Sequence, residues 1–362
     1  MTSSADPIGT DRALVVGIGL IGGSVALGLK AAGWHVSGLD TNPATATEAL
    51  ELGVVDEIGD DAAASVIFIC VPAADVSHVA RALLDDRSDV DVVVTDVAGV
   101  KRAIVEQIDD PRYLGGHPMA GSEQIGVAGA RADLFVGATW VLTPSATTTP
   151  AAYAPMLSVV NQLGAQALAL DPGDHDRLVA LVSHVPHLVA SALMDEAADA
   201  AKSDAALLQL AAGGFRDMTR VAAGDPGIWP DVCRANREAI LESLDELQRR
   251  LSDLRTAVSD SDEEALLSVL ERSSAARQAL PSRSSTEGGL STLRIPVADR
   301  PGILAEMTGL AGDLGISVAD VEIAHSVEGA RGVLLLVVPS HQADRLAEAV
   351  RATGTPCAVE AL

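Results

Sequence analysis

The sequence predicts an α/β protein in three parts: a doubly wound parallel sheet, an all-α helical region and a small βαββαβ unit. Three patterns predict it. From Ala13 to about Pro144, short β-branched runs alternate with Ala-rich stretches of helix length, as a parallel sheet buried on both faces requires. From about Ala151 to Leu280, apolar positions recur at three- and four-residue spacing, the mark of amphipathic helices packed on each other. After PSRSSTEGG (Pro281 to Gly289), a linker by composition, strands and helices follow in the split order of ferredoxin-like modules. The expected boundaries are therefore 11–150, 151–280, 281–289 for the linker and 290–362.

The strand runs of the first part are ALVVGIG, HVSGLD, SVIFICVP, VDVVVTDV, YLGGHP and TWVLTP. The first leads straight into Gly17-Ile18-Gly19-Leu20-Ile21-Gly22, and a helical stretch follows. Gly17 suits a tight turn, Gly19 lets the backbone approach a pyrophosphate, and Gly22 lets the helix pack closely on the strand. The phosphates would then sit at the positive end of that helix. HVSGLD closes on Asp40, where an acid accepts the ribose hydroxyls of NAD and repels the extra phosphate of NADP. Thr41, Asn42 and Pro43 supply no cation to hold that phosphate. The plain alternatives are a glycine-rich turn and a strand-end cap. The strand before, the helix after and the acid on the next strand favour a Rossmann-like NAD site. Val71 and Pro72 end SVIFICVP where the carboxyl edge of the sheet faces a cofactor, a placement any strand-to-loop proline shares.

YLGGHP brings His117 to the same edge, where ligands of open α/β sheets bind. A histidine there can take a proton near neutral pH, which a dehydrogenase oxidising a hydroxyl-bearing carbon needs. A turn histidine capping a strand is the bland alternative. The helical part contains DRLVALVSHVPHLVASALMDEAADA and PDVCRANREAILESLDELQRRLSDLRTAV. His184 and His187 stand three apart there, a spacing that could hold a metal. Pro186 bends the helix between them and no third ligand is evident, so no metal is expected. His175 in DPGDHDR reads as a helix-start residue rather than a catalyst.

The terminal unit reads as strand STLRIPVA, turn DRPG, helix ILAEMTGLAGDLG, strands SVADVEIAHS and GVLLLVV, helix HQADRLAEAVRATG and strand PCAVEAL. In its first turn, Asp299 to Gly302, Pro301 suits an early helical position and Gly302 lets backbone amides approach a small ligand.

Composition narrows the function. Fifty acidic residues against 25 Lys and Arg give a formal charge of −25, which argues against nucleic-acid and membrane partners. An anionic substrate would need a local basic pocket. Cys70, Cys233 and Cys357 are far apart and read as inert thiols. No apolar run reaches the roughly 18 residues of a membrane span, and MTSSADPIGTDR lacks the pattern of a secretory signal, so the chain is expected to be cytoplasmic.

GLIGGSVALGL, TDVAGVK, GGHPMAGSEQIGVAGA, SHVPH and GGFRDMTRVAAGDPGIW together resemble the prephenate/arogenate dehydrogenase family, from about Ala13 to Leu280. The resemblance implies NAD-dependent oxidative decarboxylation of prephenate to 4-hydroxyphenylpyruvate in tyrosine biosynthesis, or of arogenate to tyrosine. It makes His117 the catalytic histidine, bonded to the ring hydroxyl, and Arg220 the grip on the ring carboxylate. Ser183 and His187 line the substrate pocket, and Ser122 and Glu123 fall in the loop after His117. Asp217 and Trp229 match positions near the substrate that can come from a partner subunit, since family members interlock their helices into a homodimer. The terminal unit resembles an ACT domain, an amino-acid-sensing module, which implies tyrosine as an effector at the DRPG turn. One place departs. Where the family pattern DxxSVK carries a serine that supports the histidine and the nicotinamide, this chain has Gly99. A water, Thr95 or Ser122 could stand in. Lys101 keeps the motif's last place and reads as a solvated charge. The rival class is a non-catalytic NAD-binding or amino-acid-sensing protein.

Overall fold

A computed structural model describes residues 11–88, 90–121, 124–204, 206–280, 289–298, 300–325 and 331–361. Ser122, Glu123, linker residues 281–288 and Asp299 lie outside the described residues. The chain divides into two units, Met1–Arg250 and Leu251–Leu362.

The first unit is built on an eight-stranded sheet. Its strands are β1 (Arg12–Val16), β2 (His35–Leu39), β3 (Glu57–Ile58), β4 (Val66–Ile69), β5 (Val93–Asp96), β6 (Tyr113–Pro118), β7 (Thr139–Thr143) and β8 (Gln166–Ala169). The sheet order is β3-β2-β1-β4-β5-β6-β7-β8, so the strand order reverses between β1 and β4. Helices α1 (Leu20–Ala31), α2 (Pro43–Glu51), α3 (Ala73–Asp86), α4 (Arg102–Val105) and α5 (Pro150–Gln162) join them. Alternate strand residues feed two cores. Ala13, Val15, Val66 and Phe68 pack with α1, α2 and α5 on one face. Leu14, Ile67 and Ile69 pack with α3 and α4 on the other. Helices cover both faces, so the central strands β4 and β5 are buried along their whole length.

Two expectations are corrected. The sheet is not wholly parallel: β7 runs antiparallel to β6. Between them the chain has only a short 3-10 turn at Val127–Gly129 and no crossover helix, so it returns in the opposite direction. The sheet also does not end near residue 150. Helix α5 and strand β8, which pairs parallel with β7, belong to it, and the boundary falls near residue 170. QALA is too short and too exposed to show a strand pattern.

Beyond β8, helix α6 (Pro172–Val179) runs through a π-helical segment, Ala180–His184, into α7 (Val185–Ala201). Then come α8 (Gly213–Thr219), a 3-10 turn at Arg220–Ala223, α9 (Trp229–Ala235), α10 (Arg237–Ser259) and α11 (Glu263–Gln278). Pro172–Ala201 is long and apolar enough to cross a membrane by length and composition, its most apolar 18-residue window having a mean hydropathy of 1.5, where none was expected. His184 and Val185 in its middle are buried, while Leu181 and Val182 are exposed.

The second unit takes in the end of α10 and all of α11, followed by β9 (Leu290–Ala298), α12 (Ile303–Asp313), β10 (Asp320–His325), β11 (Arg331–Pro339), α13 (Ser340–Ala352) and β12 (Ala358–Ala361). The strands form an antiparallel sheet in the order β10-β11-β9-β12. Leu293, Ile295, Leu334 and Leu336 pack under Met307, Leu346 and Val350 of the two helices.

Candidate active site

The crevice where the strand order reverses is lined as a dinucleotide site requires. Gly17 leaves β1 with φ +92°, and a Cβ there would lie 2.5 Å from the Cys70 carbonyl oxygen and 3.3 Å from the Val71 nitrogen. The glycine turn therefore abuts the end of β4, where Val71 and Pro72 follow. A Cβ on Gly22 would overlap the Gly17 carbonyl at 2.0 Å, so the first turn of α1 can close only with glycine. Gly19, the residue before α1, faces open space: a Cβ there would meet nothing within 4 Å. Leu20 and Ile21, partly buried, begin the helix. Asp40 accepts from the Ile18 amide at 2.9 Å and the Asn42 amide at 2.8 Å. It braces the glycine loop as well as ending β2, and its carboxylate remains partly exposed.

His117 lies near the end of β6, after Gly115 and Gly116. Both glycines are sterically required. A Cβ on Gly115 would press Thr143 Oγ1 at 2.4 Å, and one on Gly116 would press the Asp96 carbonyl at 2.6 Å. The imidazole is gripped through Nδ1, which stands 2.8 Å from His175 Nε2. His175 Nδ1 in turn stands 2.7 Å from Asp176 Oδ1. Asp176 also accepts the backbone amides of Lys101 and Arg102, at 2.7 and 3.0 Å. On its other side, His117 Nε2 lies 3.7 Å from where a Cβ on Gly99 would stand. Burial holds the His117 pKa well below the ordinary histidine value, helped by the neighbouring His175, Lys101 and His184.

Beneath the histidine lies a buried ion pair. Lys101 and Asp96 are both fully buried and directly paired. Asp96 also accepts from the Tyr113 hydroxyl at 2.6 Å and the Ala98 amide at 2.8 Å. Burial draws the Lys101 pKa down, and Asp96 pulls it back up. Lys101 is thus no solvated charge: it ties the loop before α4 to Asp96 at the end of β5, and Asp96 in turn reaches β6 through Tyr113.

The π-helical segment between α6 and α7 resets the helical phase, a device frequent at functional sites. His184, at its end, is 3.2 Å from the Asn236 side-chain nitrogen, which also donates to the Asp176 carbonyl at 2.8 Å. The Trp229 ring meets His184 edge-on and stacks on His187, with centroids 3.7 Å apart and planes 18° apart. One connected set thus runs from His117 through His175, Asp176, Asn236 and His184 to Trp229 and His187. Trp229 joins this set from within the same chain. Ser183 is partly buried within the π segment. Arg220 and Asp217 are exposed on the following turns, and Gly224, closing the Arg220 turn, packs on His187.

Among the described residues, no group of three His, Cys, Asp or Glu is placed to hold a metal. His175 is the residue that sequence reasoning missed. It stands at the start of α6, as its motif implies, and is also fully buried against His117, a contact the motif does not reveal. Thr95 is committed elsewhere, its Oγ1 donating to the Asp96 carbonyl at 3.4 Å, and the expectation for Ser122 falls on a residue outside the described ones.

Residues 25–169 match the family described as prephenate dehydrogenase, nucleotide-binding domain, and residues 171–272 its dimerization domain. A prephenate dehydrogenase of Bacillus subtilis is 31% identical over 93% of this chain and 95% of its own. The chain belongs to the prephenate dehydrogenase family. The break between the two matched regions agrees with the end of β8 at Ala169. Among solved structures, the family's Aquifex aeolicus prephenate dehydrogenase, in complex with hydroxyphenyl propionate and NAD+, superposes with a TM-score of 0.69. It is 28% identical over 76% of this chain and 100% of its own. A Synechocystis arogenate dehydrogenase superposes with a TM-score of 0.62, at 34% identity over 74% of this chain and 98% of its own.

Proposed function

We propose that this chain is an NAD-dependent prephenate dehydrogenase, converting prephenate to 4-hydroxyphenylpyruvate and carbon dioxide. The observation that carries this reading is His117 Nε2 facing the Gly99 loop, on the sheet edge that also bears the Gly17–Gly22 cradle. The open space above Gly19 fits a pyrophosphate, and the free lone pairs of Asp40 fit the ribose hydroxyls. When bound, NAD supplies the acceptor for the hydride leaving the ring carbon that bears the hydroxyl. His117, neutral because it is buried, receives the hydroxyl proton on Nε2. The ring carboxylate departs as carbon dioxide, its electron pair completing the aromatic ring, and His117 returns the proton to the ring oxygen to give the phenol. No covalent intermediate is needed. Arg220 grips the ring carboxylate before it leaves, with a bidentate fork that suits that group. His187 and Trp229 form the apolar wall for the ring, and Ser183 and Asp217 complete the surround.

Arogenate is the second reading, carried by the 34% identity to the Synechocystis arogenate dehydrogenase. Steady-state kinetics with both substrates and both cofactors separates the two. Prephenate with NAD is expected to give the highest kcat/KM, and a higher value with arogenate overturns the preference.

The same reading takes in assembly, setting and control. The chain works as a cytoplasmic homodimer, supported by the exposed Leu181, Val182, Leu210 and Met218 of the helical part. The second unit serves as an ACT-type sensor that binds tyrosine at the turn before α12. There Gly302 adopts φ +88°, and a Cβ on it would meet nothing within 4 Å.

A further inference from the structure

We propose that His175 and Asp176 set the tautomer of His117 and thereby do the orienting work for which the family pattern uses a serine at position 99. The proposal rests on the dehydrogenase reading above and assigns two positioning residues to it.

The hydrogen bonds fix the protons one after another. Asp176 already receives two backbone amides, from Lys101 and Arg102, so its carboxylate faces donors only. The group opposite its Oδ1, His175 Nδ1 at 2.7 Å, must therefore carry a proton. In its uncharged form, with the single ring proton on Nδ1, His175 presents a bare Nε2. The only match for that lone pair at 2.8 Å is a protonated His117 Nδ1. The bare nitrogen of His117 is consequently Nε2, the one beside Gly99. This is the tautomer that can accept a hydroxyl proton. The opposite tautomer would offer an N–H to the substrate and could accept nothing. Asp-to-His orientation of a catalytic imidazole follows the same logic in hydrolase triads, with one histidine fewer.

The direction of the grip explains why Gly99 is tolerated. A serine side chain at 99 would approach His117 from the Nε2 side, 3.7 Å from its Cβ position. His175 holds the ring from the opposite nitrogen and is itself fully buried, on the helix that leads into the π segment. The ring is thus aimed from behind, and its working face needs no second holder.

The direct test is nitrogen-15 NMR of the full chain with labelled histidine, His117 being assigned by loss of its signals in His117→Asn. The expected spectrum at neutral pH shows a proton on His117 Nδ1 and none on Nε2; a proton on Nε2 overturns the proposal. The kinetic arm uses two variants. His175→Phe keeps the volume but removes the acceptor, and should lower kcat by about 10²-fold while the KM for NAD stays within about twofold. His175→Gln returns an acceptor oxygen near the same place and should recover turnover to within about tenfold of the parent. Undiminished turnover in folded His175→Phe, or no recovery in folded His175→Gln, also counts against it. If the parent chain turns over neither prephenate nor arogenate, the functional reading fails, and the spectrum still decides the tautomer.

Discussion

At the scale of single residues, the chemistry converges on one imidazole whose environment keeps it uncharged. Burial is the main cause of its lowered pKa, and the nearby Lys101, His175 and His184 act in the same direction. Since the folded enzyme resists protonating His117, turnover should be level across neutral pH and fall only in acid, below the ordinary histidine range. An acid limb centred above that range would show that another group titrates. His117→Asn should cut kcat by ~10²–10⁴-fold while NAD binding, followed by fluorescence titration, hardly changes. Asp40 governs the cofactor: NAD should be preferred over NADP by at least about tenfold in kcat/KM, and Asp40→Ser should shrink that preference. Equal use of both by the parent removes Asp40 from this role. The positions of His117, Asp40 and the three glycines were legible because local strand-end motifs put each of them at the carboxyl edge of the sheet. His175 was not. Its partner is 58 residues away, and nothing in DPGDHDR says which face of the helix meets β6. Lys101 was misread for the same reason, since its burial depends on how β5 and β6 pack rather than on its neighbours in the chain.

At the scale of elements, buried charge and the π segment decide both stability and geometry. Lys101 and Asp96 join the loop before α4 to the end of β5 with no exposure of either side chain. Lys101→Met would leave the Asp96 carboxylate buried and uncompensated, and should destabilise the fold by about 3–5 kcal/mol in denaturant unfolding. The double variant Lys101→Met with Asp96→Asn should lose less, and an equal or greater loss would mean that the pair is not coupled. The helix bearing the π segment contributes a pH dependence. Burial pushes the His184 pKa down from 6.5 to about 4. Unfolded chains take up that proton as pH falls through 6.5, whereas the fold resists it until near 4. Stability should therefore decline over this window, by on the order of 2–3 kcal/mol, with His117 and His187 adding in the same sense. The depressed carboxyls Asp56 and Asp110 act only below their ordinary value of 3.8. Urea midpoints measured between pH 7.5 and 4.5 check this, and His184→Gln should flatten the slope. The sequence announced helices here, but a π segment has no composition of its own. Strand β8 was likewise illegible, because four exposed residues at a sheet edge need no apolar pattern.

At the scale of the whole molecule, the strand-and-helix order of the sheet and of the terminal βαββαβ segment was readable, whereas the division between the two units falls at Arg250, within α10, and not at the expected linker 281–289. The sheet announces itself by strand-helix alternation and the terminal segment by its split order. The antiparallel pair of the eight-stranded sheet, β6 with β7, escaped because direction depends on how the chain returns, not on strand composition. The exposed apolar side chains of the helical part predict a homodimer, and sedimentation at micromolar concentration should find no stable monomer. Tyrosine should inhibit the full chain more strongly than a chain ending at Leu280; equal inhibition would place tyrosine at the active site instead. The central claim is that this fold brings His117, on β6, to a bound NAD so that prephenate is oxidised and decarboxylated. Its most direct test is the 340 nm absorbance of NADH on mixing the purified chain with NAD and prephenate, run beside His117→Asn. The account predicts NADH and carbon dioxide in equal amounts from the parent chain, and a rate ~10²–10⁴-fold lower in the variant. No NADH from the parent, or an undiminished rate in the variant, would contradict it.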